Sequence, residues 1–495
     1  MVANVEAGYI ALGIIIGWLT LTAAVGALAT ARKFKKIATA EAWFVAGRTL
    51  GLIVLWLSLG ANIYSAYTFL GLPGLAAREG AKVWAVNLYG MIAYLIGFLI
   101  IPYMWSKARD RNWLTLADAF EDLYGSKLLG AFVAIMGALW CIPYIQLQIQ
   151  GIGYIIEESA YGMLDPLMTK IIAFILIALF TIVGGLVSVA FINMLQGALM
   201  LIAVWFVGIA APIIAFGGID KLFNILESYV TAQPPDSKFS LVFKPKDITW
   251  AITLLCAAPL AFWLWPNRVQ NVFGAKDIKT TKRNMVLVGI YQISQIPAIL
   301  VGLTAIALFA QGMINIPVYK KPGCDHAFML VARCLFPPWV VGLVGAGALA
   351  ASISTAAALL HVCGALFSRN AYQKIFKPQA SGRELVLAAR LFTTALAIIS
   401  LILALLAPGI LVYLLLVGYA GIVQFFPAYV FGVYKPGIVT KYGALAGMAA
   451  GMATVAYIKI ILGKLPLGIY EGFWGLAVNI PVMLIVSFLE KRLSH

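Results

Sequence analysis

Three hydroxyl side chains interrupt an apolar stretch of the sequence, LAASISTAAALL, at residues 349–360. They belong to Ser352, Ser354 and Thr355. A hydroxyl on an apolar helix can bond back to the carbonyl four residues earlier or contact a neighbouring helix. Hydroxyl oxygens are also neutral ligands that suit a hard cation. We predict a structural role for Ser352, whereas both roles remain open for the adjacent pair Ser354 and Thr355.

His361 follows in the same stretch, six residues after Thr355. An ionisable group within a membrane span is a functional hypothesis, so His361 is a candidate proton site. The alternative, which we favour, is a neutral histidine hydrogen-bonded inside a helix bundle. The nineteen acidic residues all lie at span ends or in loops, which excludes a carboxylate relay at mid-membrane. No P-loop sequence is present, which excludes an ATP-driven pump and leaves a carrier or a channel.

Membrane helices must position these side chains. The 495 residues are 63% hydrophobic and only 11% charged, with a mean hydropathy of +0.96. A soluble protein of this size could not cover its surface with so few charges, so we predict an all-α polytopic membrane protein. The acidic residues form no Asp-rich metal site of the kind that a membrane prenyltransferase needs, and we expect no enzyme. One span needs about 20 apolar residues. Thirteen stretches qualify as transmembrane helices: 8–31, 49–71, 83–104, 128–156, 168–188, 192–216, 248–269, 284–311, 338–367, 385–407, 409–433, 440–462 and 469–489.

Two of these spans look interrupted. The span at 49–71 carries glycines and polar residues in LSLGANIYSAYTFLGLPG, and the span at 248–269 carries Pro259 and Pro266. Proline removes a backbone hydrogen bond, and freed backbone groups are tolerated in lipid only where they line a cavity or bind something. Because the two spans lie five spans apart, they predict an inverted repeat with a binding site at the membrane midplane.

Basic residues cluster between the spans. With the N-terminus outside and the C-terminus in the cytoplasm, about two thirds of the 35 Lys and Arg residues lie on the cytoplasmic side, as membrane proteins favour. The net charge of +16 therefore reflects topology and not nucleic-acid binding. We predict a multi-pass protein of the plasma membrane. Arg268, after Pro266, is predicted to anchor the cytoplasmic end of its span. A disulfide between Cys324 and Cys334, in one external loop, stays open.

Several motifs make the sequence similar to the solute:sodium symporter family, which includes proline, pantothenate and glucose carriers. AWFVAGRTLG and LSLGANIYSAYTFLGLPGLAAREG resemble the opening of the family, and PYIQLQIQGIG, GALAASISTAAALL and FFPAYVFGVYKPGIVTKYGALAGMAAG continue it over about residues 41–450. The resemblance implies a five-plus-five inverted-repeat, LeuT-like core with discontinuous first and sixth core helices. Its repeats would cover 43–217 and 247–434, after an extra N-terminal helix at 8–31 and before two C-terminal helices at 440–495.

The resemblance also implies a sodium site between the first and eighth core helices. Its ligands would be the backbone carbonyls of Gly60, Ile63 and Ala351 and the hydroxyls of Ser354 and Thr355. The residue types are consistent with this chemistry, because an unwound helix exposes carbonyls and neutral oxygens hold sodium loosely enough to release it. Sodium would be the coupling ion, and no further cofactor is expected.

Three positions depart from other members of the family. Asn193 stands where many members carry an aspartate on the sodium route to the cytoplasm, which weakens cation attraction there. The polar pair of the glucose carriers falls on Ala66 and Tyr67, and their sixth-helix asparagine falls on Ala258, so a sugar is disfavoured. The aspartate of the proline carriers falls on Asn62 and their tryptophan on Ala258, so proline is disfavoured as well.

By position in the family, a mostly apolar pocket with a few amides and hydroxyls should bind the substrate. Its lining residues would be Asn62, Tyr64, Ser65, Tyr67, Gln148, Ala258, Phe262 and Trp263. Plain helix packing is an equal alternative for the aromatic pair at 262–263. Gln146, Gln148 and Gln150 alternate along one helix, so they cannot all face one way. The N-termini of the half-helices favour an anionic group, which suits a monocarboxylate, a pantothenate-like acid or an amino acid.

The sequence thus predicts a secondary active transporter that couples inward sodium flow to the uptake of a small organic solute. Its partners would be sodium, the solute and the lipid bilayer, with no nucleic acid and no obligate protein partner. Proton coupling through His361 in the same fold is the first alternative. A transporter-like solute sensor is the second, and it is disfavoured because we expect no signalling domain after the last span. A channel is disfavoured because no repeated filter segment occurs.

Overall fold

The computed structural model describes residues 4–33, 45–182, 186–316 and 323–493. The start of the first family motif, at 42–44, lies outside these ranges, as does part of the fifth predicted span. Within the described ranges the secondary structure is helical, without a strand. The prediction of an all-α membrane protein is therefore confirmed.

Ten described helices precede the second broken span. They are α1 (Val5–Lys33), α2 (Leu52–Ile63), α3 (Leu72–Glu79), α4 (Val83–Asp110), α5 (Leu116–Tyr124), α6 (Lys127–Trp140), α7 (Ile142–Ser159), α8 (Pro166–Ile182), α9 (Leu186–Phe216) and α10 (Ile219–Thr231). The short helix α5 begins at a capping box, in which the side chains of Thr115 and Asp118 each accept a hydrogen bond from the other's backbone N–H.

Eleven more helices follow in the described part of the chain. They are α11 (Pro245–Ala261), α12 (Pro266–Phe273), α13 (Ile278–Ile293), α14 (Gln295–Ala310), α15 (Ala327–Leu335), α16 (Pro338–Leu366), α17 (Gly382–Leu406), α18 (Leu411–Ile422), α19 (Phe425–Tyr434), α20 (Lys441–Ala456) and α21 (Glu471–Leu493). A π-helical segment continues α16 to Phe376, and Ser381 and Glu384 form a second capping box at the start of α17.

The thirteen predicted spans correspond to helices of the structure. Over the described residues, eleven helical stretches are long and apolar enough to cross a membrane, and two shorter apolar helices, Leu52–Ile63 and Pro166–Ile177, account for the second and fifth spans. The external loop around Cys324 and Cys334 folds as a short 3-10 turn followed by α15. Both cysteines are free, so they form no disulfide in this structure.

Both interrupted spans are broken helices. The first ends as α2 because Tyr64 is extended, with φ −91° and ψ 109°, and the chain resumes as a wide π-helical turn at Tyr67–Gly71 that leads into α3. The second ends as α11, continues as a 3-10 turn, and passes through extended Trp265 before Pro266 opens α12. Proline is well suited to that first helical position because it has no N–H to leave unpaired.

The helix α16 lies at the centre of the bundle. Its span, Pro338–Phe376, is 94% buried, whereas the spans formed by α1 and α17 are each 22% buried and present most of their surface outward. The half-helix α2 packs against α9, α12, α13 and α16, and α16 packs against α7 and α9. The two broken helices therefore both contact the most buried of the eleven described apolar spans.

Backbone hydrogen bonds join the start of the first broken span to the end of the second. Leu50, before α2, pairs with the segment after α12. Its N–H donates to the Gly274 carbonyl at 3.0 Å, and its carbonyl accepts from Lys276 N–H at 3.1 Å. The guanidinium of Arg48 donates to the carbonyls of Ala108 and Trp113, both at 3.1 Å. These bonds join α2, α4 and α12 at this end of the bundle.

Candidate functional site

Four oxygen atoms converge where α2 ends against α16. Thr355 Oγ1 donates to the carbonyls of Ala61, at 3.1 Å, and Ala351, at 3.0 Å. Ser354 Oγ lies 3.0 Å from the Ala351 carbonyl and 3.5 Å from that of Ala61. All four residues are buried. Two carbonyls and two hydroxyls at these distances form a neutral oxygen cluster, the kind of ligand set that a hard cation takes.

The last turn of α2 supplies one of the two carbonyls of this oxygen cluster, that of Ala61, and α16 supplies the other, that of Ala351. Helix ends leave carbonyls without a donor four residues later, and the extended Tyr64 produces such an end here. The Gly60 carbonyl keeps a donor, because it accepts from Tyr64 N–H at 2.8 Å. The Ala61 carbonyl is the one that contacts the hydroxyls of α16, and Ile63 is buried at the end of the turn.

The structure thus brings most of the expected sodium ligands to one place. Ala351, Ser354 and Thr355 contact the turn that contains Gly60 and Ile63. It also adds the Ala61 carbonyl, which sequence reasoning missed. No sequence signal could have found it, because which carbonyl faces α16 depends on the residue at which the helix unwinds.

Ser352 has a separate, local role. Its Oγ donates to the Ala348 carbonyl at 2.8 Å, the bond back to the residue four positions earlier that was expected for it. The structural prediction for Ser352 is therefore confirmed, and this residue is a natural control for its two neighbours.

Gly60 allows a tyrosine ring to lie directly against α2. A methyl group at Gly60 would come within 2.1 Å of Cζ of Tyr291, a residue of α13. The Tyr291 ring is itself held between Trp56 and Tyr64, with ring centroids 5.4 and 5.0 Å away. It therefore has little room to retreat from an added side chain.

Gly60→Ala is expected to destabilise the protein by about 1–3 kcal/mol, the usual cost of overpacking, and to weaken uptake. Thermal unfolding and transport in proteoliposomes measure the two effects. Gly289→Ala, on α13 where an added methyl meets open space, should change neither. In a Tyr291→Ala background the cost of Gly60→Ala should shrink. An equal cost in both backgrounds would show that the ring contact is not the cause.

The unwound segment after α2, residues 64–67, is held by hydrogen bonds with α7. Ser65 Oγ accepts hydrogen bonds from Tyr144 Oη and from Tyr67 N–H, both at 3.2 Å. Gln148 Oε1 accepts from Ala66 N–H at 3.2 Å. Ser65, Tyr67 and Gln148, three of the expected substrate-binding residues, therefore lie together, and Tyr144 is an addition that the sequence did not indicate.

The three glutamines of α7 do not all face one way, as predicted: Gln146 and Gln150 share one side of the helix, and Gln148 lies on another. Gln146 Nε2 donates to the Ala407 carbonyl at 2.9 Å, and Gln150 Nε2 donates to the Gly409 carbonyl at 3.2 Å. Both hold the loop between α17 and α18. Gln148 alone of the three contacts the unwound segment.

Several polar atoms around this segment are buried without a protein partner. They are Asn62 Oδ1, Tyr64 Oη, Tyr67 Oη and Gln148 Nε2. Asn62 uses its other amide atom, Nδ2, in a bond to the Ser58 carbonyl at 2.9 Å. Buried polar atoms in proteins normally have a partner, so atoms of this kind indicate a place that a ligand or water fills.

Aromatic residues of the second broken span contact α4. Phe262 packs edge-on against Tyr94 of α4, with ring centroids 5.2 Å apart. Trp263 turns toward α4, where its Nε1 donates to the Ala93 carbonyl at 2.7 Å and its ring covers Gly97. Ala258 is fully buried one turn earlier. The polar atom of Trp263 is therefore used in helix packing, whereas the Phe262 ring also contacts Arg268.

The prediction for Arg268 was wrong. An anchor at the membrane surface should be exposed, but Arg268 is only 1% exposed. Its guanidinium carbon lies 4.0 Å from the centroid of the Phe262 ring, and its Nη1 donates to Tyr419 Oη at 2.8 Å. The extended backbone before Pro266 turns the first residues of α12 inward, which spacing from the span end could not reveal.

Asn193 lies on a helix that packs against the oxygen cluster, and His361 lies on α16, one of the two helices that form it. Asn193 is buried on α9, which packs against α2 and α16, and its Nδ2 has no hydrogen-bond partner. His361 is partly buried on α16. His361 follows Thr355 by six residues on this helix, about 9 Å along its axis.

Similar proteins were found both by sequence and by structure. An uncharacterized symporter of Bacillus subtilis (strain 168), YhjB, is 29% identical over 97% of this chain and 97% of its own length. A monocarboxylate transport permease protein of Rhizobium johnstonii is 26% identical over 97% of this chain and 96% of its own length. The structure resembles that of a Na+-coupled sialic acid symporter in a substrate-bound outward-open state, with a TM-score of 0.77, 18% identity and 97% coverage of each chain.

The similarity in structure confirms the LeuT-like fold class with its two broken core helices, while the boundaries assigned to the two repeats stay a prediction. The family model described as sodium:solute symporter family matches residues 43–451, which is most of the chain. The protein is thus a multi-pass membrane protein, and it belongs to the sodium:solute symporter family.

Proposed function

We propose that the protein is a secondary active transporter that couples inward sodium flow to the uptake of a small organic solute by alternating access. The observation that carries this proposal is the oxygen cluster of Ala61, Ala351, Ser354 and Thr355 at the broken end of α2. Sodium bound there would hold the last turn of α2 against α16. The unwound segment that follows directly carries the substrate-binding candidates, so each ligand would favour the binding of the other.

The ligand set extends along the last turn of α2. The family resemblance implies the Gly60 and Ile63 carbonyls, and the geometry supports including the Ala61 carbonyl. Asn193 would lie on the route by which sodium leaves toward the cytoplasm. The protein would lie in the plasma membrane with its N-terminus outside and its C-terminus in the cytoplasm, which the distribution of basic residues supports.

The solute is more consistent with an organic acid or an amino acid than with a sugar. The side chains around the unwound segment offer two amides, those of Asn62 and Gln148, and the phenols of Tyr64 and Tyr67. The name of the Rhizobium relative, a monocarboxylate transport permease protein, also supports an organic acid as the solute. Asn62, Ser65, Ala258, Phe262 and Trp263 complete the proposed substrate-binding set.

A thermal-shift screen tests the proposal directly. Purified protein is heated with organic acids, amino acids or sugars, once in sodium chloride and once in choline chloride. We expect one class of acid to raise the unfolding temperature in sodium and to act weakly in choline. Equal protection by a solute in both salts would contradict sodium coupling.

Proton coupling through His361 is the alternative, and one variant separates the two. His361→Gln is expected to keep sodium-driven uptake within about twofold of wild type, because His361 lies about 9 Å along α16 from Thr355. Uptake is measured in proteoliposomes with a sodium gradient and, separately, with an inward proton gradient in choline. Proton-driven uptake in the wild type that disappears in His361→Gln would favour the alternative.

A further inference from the structure

Arg268 carries a permanent charge into the interior of the protein. A guanidinium stays protonated in proteins, so its burial places an uncancelled positive charge away from water unless an anion accompanies it. The titratable groups that interact most strongly with Arg268 are the phenols of Tyr419, Tyr144 and Tyr89. Within the described part of the chain Arg268 forms no ion pair with a carboxylate.

The hydrogen bonds of Arg268 leave one edge of the guanidinium available. Two hydrogen bonds to protein use Nη1, which donates to the Phe262 carbonyl at 2.9 Å and to Tyr419 Oη at 2.8 Å, and the Tyr144 phenol also interacts with the guanidinium. Nε is buried and has no acceptor. The edge formed by Nε and Nη2 presents two parallel N–H donors, the geometry that binds both oxygens of a carboxylate.

Aromatic rings surround the rest of the guanidinium. Its carbon lies 4.0 Å from the ring centroid of Phe262, 5.6 Å from that of Tyr419 and 5.8 Å from that of Trp265. Cation–π contacts of this kind compensate part of the lost hydration, and they fix the plane of the group. The same rings make the surroundings of the guanidinium largely apolar.

The position of Arg268 in the backbone favours an anion as well. Arg268 is the third residue of α12, at the end of the helix where backbone N–H groups and the helix dipole are positive. A cation there is unfavourable by itself, and a negative ligand would be stabilised by the helix end and the guanidinium together. Trp265 Nε1, just before the helix, is a further buried donor without a partner.

Arg268 also borders the residues proposed to bind the solute. Phe262 contacts it directly. Tyr144, whose phenol interacts with Arg268, bonds Ser65 through the same hydroxyl at 3.2 Å and packs edge-on against Trp265 at 5.2 Å between centroids. Tyr144 therefore links the guanidinium to the unwound segment after α2.

We propose that the Nε–Nη2 edge of Arg268 binds the carboxylate of the transported solute and thereby makes the protein selective for small monocarboxylates. This inference rests on the proposed function and names the substrate class of its site. A single cation matches a single carboxylate. The rival explanation is that Arg268 only braces α12 against α18 through Tyr419.

The test compares acids with their neutral amides. Purified full-length protein is heated with propionate, pyruvate or hexanoate, and with propionamide, pyruvamide or hexanamide, in sodium chloride. At least one acid is expected to protect the wild type, and its amide to need a roughly hundredfold higher concentration, as loss of a buried charged partner implies. Equal protection by acid and amide, or protection by none of the acids, would overturn the inference. This comparison needs no variant.

Variants then assign the effect to Arg268. Arg268→Gln should lose protection by the acid while keeping the protection that sodium alone gives, and Arg268→Lys should recover part of the acid's effect. Arg111→Gln, which changes an arginine 46% exposed in its pair with Asp122, should match the wild type. If Arg268→Gln still binds the acid as well as the wild type does, Arg268 only braces α12 against α18. If acids protect the protein equally with and without sodium, sodium coupling is contradicted, but the carboxylate-binding role of Arg268 is not.

Discussion

The double variant Ser354→Ala/Thr355→Ala is expected to raise the sodium concentration that gives half-maximal uptake by roughly a hundredfold. Each hydroxyl would contribute one oxygen to a bound cation, and a contact with a charged group contributes about 1.5 kcal/mol or more. Two such losses add to about 3 kcal/mol, which corresponds to that change in affinity. Solute uptake by proteoliposomes, measured over a series of external sodium concentrations, gives the value.

Two variants on the same helix make this result specific. Ser352→Ala removes a hydroxyl that bonds only the Ala348 carbonyl, so its sodium dependence should match the wild type. Thr355→Ser keeps the oxygen that contacts Ala61 and should stay close to the wild type. If the double variant keeps the wild-type sodium dependence, sodium does not bind at the end of α2.

The sequence was sufficient to predict which two helices form the oxygen cluster, but not which of their atoms face one another. Neighbouring hydroxyls in an apolar helix and a glycine-containing polar break in another are local features, and the family motifs pair the two helices. The same is true of Pro259 and Pro266, which restrict the backbone wherever they occur. Local chemistry therefore located the breaks, and the structure shows which atoms face one another across them.

Arg268 and Ala61 could not be placed in the same way. The direction of Arg268 depends on the extended backbone at Trp265 and on Tyr419, 151 residues away. The choice of the Ala61 carbonyl depends on a single residue, Tyr64, being extended. Both are properties of the packed bundle, and a pattern within one span does not contain them.

Asp118 was not singled out in the sequence, yet it is the centre of a polar cluster that joins distant segments. Its carboxylate accepts from Leu114 N–H at 3.0 Å and Asn370 Nδ2 at 2.7 Å, and it pairs with Lys374 at 3.0 Å and Arg369 at 3.3 Å. Asp118 is 6% exposed. The cluster fixes α5 to the π-helical end of the α16 span.

Asp118→Ala is expected to lower the free energy of unfolding by about 3 kcal/mol. Removing one partner of a buried ion pair leaves the other charges uncompensated, and the lower end of the usual range applies because Arg369 and Lys374 keep some contact with water. The measurement is unfolding of the purified protein in detergent. Asp122→Asn, which breaks an exposed pair on the same helix, should cost less than about 1 kcal/mol.

The contribution of Asp118 should depend on pH in a defined direction. Burial raises the pKa of this carboxyl, but the Arg369 and Lys374 cations and the hydrogen bonds from Leu114 and Asn370 outweigh it, so its pKa lies below the ordinary value. A carboxyl with a depressed pKa in the folded state stabilises the protein above its unfolded pKa, and this stability is lost as pH falls through the folded value. The stability difference between wild type and Asp118→Asn should therefore be constant above about pH 5 and shrink below about pH 4. A difference that grows in acid would show that Asp118 is protonated in the folded protein and that the cluster is not held by its charge.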